Sequence, residues 1–146
     1  RLYRTARVQS VDLGAYLSDV CRDLDDVADC EVDLQVAAGI DIIIDRAIPI
    51  SLLVNELVTN AAKHAYAGKP GCRIWVGLNP GENGSVVVSV RDEGTGLPAD
   101  FDPKKRRGLG MRIINAFSQQ LGAELRIRHN DPGTEFVLVI PIEPAA

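Results

Sequence analysis

The chain has 146 residues, 46% of them hydrophobic and 25% charged, with a net charge of −4. That balance suits one globular domain able to bury its own core. The acidic charge excludes a surface built to grip phosphate backbones, no apolar run approaches the roughly 18 residues of a membrane span, and no secretory leader opens the chain.

Arg1 to Ser10 has little periodicity and the chain begins without Met. Residues 1–10 are therefore expected to be the end of a linker from an upstream region, and 11–146 the folded domain. Asp12 stands where a helix cap belongs, and Leu13, Leu17, Val20, Cys21 and Leu24 follow at helical spacing. The acidic run Asp23, Asp25, Asp26, Asp29 reads as the solvated face and end of that helix, since no glycine-turned calcium loop frames it. Val32 to Ala37 alternates as a strand, and Ile42-Ile43-Ile44 is expected as a short buried strand. Asp45 is a cap candidate for the next helix, with Pro49 in its first turns. Leu52 to Tyr66 reads as one amphipathic helix, stopped by Gly68-Lys69-Pro70-Gly71.

Arg73 to Leu78 and Ser85 to Val90 alternate around Asn79–Gly84 and read as a hairpin. Glu93 to Arg107 carries no sustained period and is loop. Leu109 to Leu121 returns to helical spacing, and Glu124 to His129 and Thr134 to Ile140 close the chain as a strand pair around Asn130–Gly133. Hairpins outnumber parallel crossovers, so the expected fold is α+β: a two-layer sandwich with one mixed, mostly antiparallel sheet covered by about three helices. Cys21, Cys30 and Cys72 are odd in number and form no C-x-x-C pair, so they are expected as buried thiols of a cytosolic protein. Two distant histidines do not complete a zinc site. Trp75 and Tyr66 are expected to pack in the core or at its rim.

Four places bear chemistry. Glu56, Asn60, Lys63 and His64 fall within about 100° of arc on the Leu52–Tyr66 helix, beside the apolar face of Ile50, Val54, Leu57, Val58 and Ala61. Packing alone asks for no such stripe. Asp92-Glu93-Gly94-Thr95-Gly96 ends an apolar strand. Its glycines permit a sharp turn against a flat ligand and its aspartate can accept from an exocyclic amine, but the same residues make an ordinary turn. Gly108-Leu109-Gly110 opens a helix, where free N–H groups favour phosphate. Gly133-Thr134 leads the last strand.

In this order and spacing the four places resemble the GHKL (Bergerat) ATPase superfamily, which includes gyrase-type ATPases, chaperones, mismatch-repair proteins and the kinase domains of sensor histidine kinases. LVNELVTNAAKHAY is similar to the N-box of the histidine kinases, DEGTGLP to their G1 box, RRGLGMRIINAFSQQLGAEL to their G2 box and GTEFVLVIP to their final strand. VDLGAYLSDVC resembles the segment after the dimerisation helices in the subgroup with Glu in the N-box. The resemblance implies an ATP-dependent protein histidine kinase, catalytic domain only, with ATP and Mg²⁺ as cofactors. Asn60 then holds Mg²⁺, Lys63 reaches a phosphate, His64 lines the adenine and Asp92 reads its amino group. Gly94 and Gly96 let the loop pass the base, Gly108, Leu109 and Gly110 cover the phosphates, and Thr134 stands near the adenine. Glu56 takes the catalytic place, helping to activate the acceptor histidine or ordering water. Asp100 to Arg107 resembles a nucleotide lid, and a plain basic loop shares that composition.

Neither His64 nor His129 sits in a phosphoacceptor context. The implied partners are therefore the dimerisation and phosphoacceptor helices of the parent chain and, downstream, a response regulator, with no nucleic acid. The parent is expected to be a homodimer, cytoplasmic or attached to a membrane through segments outside this chain, and the fragment itself a monomer. Two alternatives share the boxes: an anti-sigma-factor serine kinase, and a phosphotransfer or docking scaffold with a degenerate kinase-like domain.

Overall fold

The computed structural model describes residues 9–28, 30–66, 71–95 and 109–142. A two-stranded ribbon introduces the domain. Strand β1 (Ser10–Asp12) pairs antiparallel with β3 (Asp41–Ile43), a pairing too short to leave a period in the sequence. Helix α1 (Leu13–Ala28) follows directly. Asp12 caps it as expected, its Oδ1 accepting the Gly14 amide at 3.0 Å. Leu13, Leu17, Cys21 and Leu24 form its buried face.

The isoleucine run resolves differently from its expectation as a buried strand. Ile42 is buried, Ile43 is 40% exposed, and Ile44 already opens the next helix. A strand of period two buries alternate residues, so three isoleucines in a row cannot all face inward. Helix α2 runs Ile44–Asn60, eight residues earlier than the amphipathic stretch begins. Asp45 is not its cap. It lies in the first turn, where its charge complements the helix dipole, and Ile43 holds the cap position with no side-chain bond. The Ile44 amide is instead satisfied by the Gln9 carbonyl at 3.0 Å. Pro49 stands inside the helix and is buried.

The helix also does not continue unbroken to Tyr66. From Ala61 to Ala65 it widens into a π-helical turn, closed by the Tyr66 amide donating to the Ala61 carbonyl at 3.2 Å. A π turn advances fewer degrees per residue than an α turn, so Lys63 and His64 are rotated from where an unbroken helix would aim them.

Five strands form the main sheet in the order β2 (Cys30–Val36), β4 (Cys72–Pro80), β5 (Ser85–Asp92), β7 (Thr134–Pro141), β6 (Glu124–His129). The β2–β4 pair is parallel and the other three are antiparallel. Helix α3 spans Leu109–Leu121 and, with α1, flanks α2. The core lies between helices and sheet, where Leu17, Ile50, Leu53, Ile74, Leu78 and Leu138 are wholly enclosed. Each such side chain stabilises the fold by about 2 kcal/mol. The described residues thus form the expected mixed, mostly antiparallel sheet and helical layer.

The outward face of the sheet is polar. Asp33, Trp75, Arg91, Glu135 and Arg128 lie in one register row across it. The Arg91 guanidinium lies 3.9 Å from the Trp75 ring centroid, so this tryptophan is a surface stacking platform and not core. One cysteine expectation is corrected. Cys30 and Cys72 face each other at the start of the parallel pair, with Cα atoms 4.8 Å apart, and form a disulfide. Register brings together residues that no local spacing connects. Cys21 is buried, as expected. Among the described residues no helix is long and apolar enough to cross a membrane.

Candidate functional site

Strand β5 ends on a carboxylate enclosed by the protein. Asp92 is 4% exposed, and its Oδ1 accepts the amides of Gly94 at 3.0 Å and Thr134 at 3.3 Å. Burial raises its pKa above the ordinary aspartate value, against the opposing pull of those two amides and of Arg91. Next to it, the Thr134 Oγ1 is buried with no hydrogen-bond partner among the described residues. A buried hydroxyl left unpaired costs stability, so a ligand or water that bonded it would be favoured there. Gly133 permits this closeness. Its φ is +97°, and a Cβ there would collide with the Asp92 carbonyl.

The loop after Asp92 is held against the π turn. The Ala65 carbonyl accepts both the Thr95 amide at 2.8 Å and the Thr95 hydroxyl at 3.1 Å. Gly94 lies so close to that carbonyl that no side chain fits. Tyr66, expected only to pack, also bonds in both directions: its hydroxyl accepts the Glu93 amide at 2.7 Å and donates to the Arg73 carbonyl at 2.5 Å. No sequence signal distinguishes a tyrosine in this role from a rim aromatic.

Glu56 and Asn60 are half-buried on α2, and Lys63 and His64 are exposed on the π turn. That turn packs against β4 and β5, so the polar stripe, Asp92, Gly94 and Thr134 share one region of the molecule. Leu109 and Gly110 are the first two residues of α3, which packs along α2. Gly96, Gly108 and the lid candidate 100–107 lie outside the described residues. Among the described residues no group of three His, Cys, Asp or Glu could hold a metal. A cation on Asn60 would therefore take most of its oxygen ligands from a bound phosphate and water.

A buried carboxylate and an unpaired hydroxyl thus lie beside a loop that admits no side chain at Gly94. Residues 45–144 match the family model described as histidine kinase-, DNA gyrase B-, and HSP90-like ATPase. This chain belongs to that family. A member of this ATPase family is an ATP-binding domain. Among its relatives, the Blue-light-activated histidine kinase 2 of Erythrobacter litoralis is 32% identical over 135 residues, which is 90% of this chain and 39% of that protein. The solved histidine kinase domain of the Erythrobacter litoralis blue-light activated histidine kinase superposes with a TM-score of 0.79 at 31% identity, covering 90% of this chain and 62% of that one. The Anti-sigma F factor of Geobacillus thermodenitrificans is 31% identical over 101 residues, 62% of this chain and 68% of that protein. The chain thus spans well under half the length of the blue-light kinase it matches.

Proposed function

We propose that residues 11–146 are the catalytic domain of a sensor histidine kinase. It binds ATP and transfers the γ-phosphoryl group to a histidine on a dimerisation helix of a longer parent chain. From there the group passes to an aspartate of a response regulator. The observation that carries this is the pairing of buried Asp92 with the unpartnered Thr134 hydroxyl. One Asp92 oxygen is committed to two backbone amides, and in this reading the other accepts from an amine donor such as that of adenine.

In this reading the Asn60 side-chain oxygen would hold Mg²⁺, which would offset the charge of the phosphates. Lys63 adds a cation for a phosphate, His64 lines the base, and the first turn of α3, with Gly108, Leu109 and Gly110, offers its N–H groups to the phosphates. Gly94 and Gly96 keep the loop clear of the ring. Glu56, one turn before Asn60, accepts a proton from the acceptor imidazole or orders water, and phosphoryl transfer needs little more than such positioning. The parent is a homodimer and the isolated domain a monomer. A serine acceptor is the second reading, favoured by the anti-sigma factor similarity. The histidine reading is preferred because its similarity extends over α1 and most of the chain.

Calorimetric titration with a non-hydrolysable ATP analogue, with and without Mg²⁺, tests the nucleotide reading. The expected result is saturable one-to-one binding that depends on Mg²⁺ and is lost in Asn60→Ala. Absence of binding at millimolar nucleotide would favour the degenerate scaffold. With the parent chain and ATP, an acid-labile phosphoryl group points to histidine and an acid-stable one to serine.

A further inference from the structure

Between the N-box helix and the Asp92 loop stands one phenolic oxygen. Tyr66 closes the π turn, its ring packs against the core, and its hydroxyl sits between two backbone groups from different strands' ends. We infer that Tyr66 is a positioning residue for the base-reading side of the site, holding the Glu93 backbone and through it the Asp92–Gly94 turn. This rests on the nucleotide reading above.

The hydroxyl spans two elements. It donates to the Arg73 carbonyl near the start of β4 and accepts from the Glu93 amide just past the end of β5. Glu93 is flanked by Asp92 and Gly94, and the Gly94 amide is one of the two donors that fix the Asp92 carboxylate. Movement of Glu93 therefore moves both the carboxylate and the amide that orients it. On the other side, the Ala65 carbonyl takes both Thr95 donors and blocks any side chain at Gly94. The two clamps come from consecutive residues, Ala65 and Tyr66, of one turn. Packing asks only for the ring. A phenylalanine would fill the same space and leave the Arg73 carbonyl and Glu93 amide without this partner.

The test is Tyr66→Phe in this chain, compared with the unaltered chain by calorimetry with ATP, GTP and inorganic tripolyphosphate, and by amide hydrogen exchange. Loss of the hydroxyl's two neutral hydrogen bonds, one of them to the Glu93 turn, should weaken ATP binding about five- to tenfold. Preference for ATP over GTP should shrink, tripolyphosphate affinity should stay unchanged, and the amides of Glu93, Gly94 and Thr95 should exchange faster. Unchanged ATP affinity and unchanged exchange in Tyr66→Phe would overturn the inference. Equal weakening for ATP and tripolyphosphate would also overturn it, since that is the mark of general loosening. If the unaltered chain binds tripolyphosphate but no adenine nucleotide, the base-reading assignment itself fails. Should Tyr66→Phe not fold, Thr95→Val, which removes only the hydroxyl bond to Ala65, must give the same loss of base preference or the clamp model falls.

Discussion

The proposed adenine role asks Asp92 to be charged while the fold buries it, and those demands conflict. Its pKa is raised chiefly by burial, so the folded chain binds the Asp92 proton more tightly than the unfolded chain does. The stability it contributes is then fully present below the ordinary aspartate pKa of 3.8 and is lost as pH rises through the higher folded value. Once ionised, the enclosed carboxylate weighs against the fold, and that charge is what burial opposes. Asp92→Asn removes that charge while its amide oxygen keeps accepting from Gly94 and Thr134. Urea unfolding should show the variant more stable at neutral pH, with the advantage vanishing towards acid. Adenine binding should be lost, because a donor now faces the amine. A variant that is less stable at pH 7 and unchanged in affinity would contradict both halves.

Arg46 ties the helical layer to the sheet at the end opposite the site. Its Nη2 donates to the Leu121 carbonyl at 2.8 Å and to the Pro141 carbonyl at 2.5 Å. Leu121 is the last residue of α3, so the guanidinium also complements the negative end of that helix. Arg46→Ala should cost about 1.5–3 kcal/mol in urea unfolding, since hydrogen bonds from a charged donor are worth more than neutral ones. Asn60 lies fourteen residues along α2, roughly 21 Å at 1.5 Å per residue, so ATP affinity should be unchanged. A coupled loss of affinity would show that α3 is set by this tie. Nothing in the sequence announces Arg46, because its two acceptors are backbone atoms 75 and 95 residues away. The same reason separates what could be read from what could not. Strands β4 to β7 and helix α3 carry their own period, since one face of each is buried or, in β6, half-buried. The start of α2 was obscured by Pro49, which reads as a first-turn residue, and by a cap position that uses no polar side chain. The π turn left no mark at all, because Ala61 to Ala65 would suit an ordinary helix equally well. At the site, residue types and order pointed to Asp92, Gly94 and Thr134. The backbone bonds that make Asp92 a fixed acceptor, and the Tyr66 clamp, depend on contacts that only the fold creates.

Across the molecule, the weakest place in the sheet is its one parallel edge. Among the described strands β2 pairs with β4, and reaches it only after a long crossover through β3 and α2. Parallel pairing is slightly weaker per residue than antiparallel pairing, and an edge strand has no second neighbour. The Cys30–Cys72 disulfide closes that crossover at its two ends, over a sequence separation of 42. Removing loop entropy from the unfolded chain over such a span stabilises the fold by about 2–4 kcal/mol. Cys30→Ser should therefore lower the urea midpoint, and a reducing agent should produce the same loss in the unaltered chain but none in the variant. Thiol labelling of unreduced, denatured chain should modify Cys21 alone, with all three cysteines reacting after reduction. If three thiols react without reductant, the edge strand is held by its seven register pairs and core contacts only. Reductant would then leave both stability and ATP affinity where they were. With the staple present, reduction should loosen β2 first, because α1 and β4 are its remaining neighbours. Amide exchange along Cys30–Val36 should then accelerate before that of β5 and β7, which are bonded on both sides.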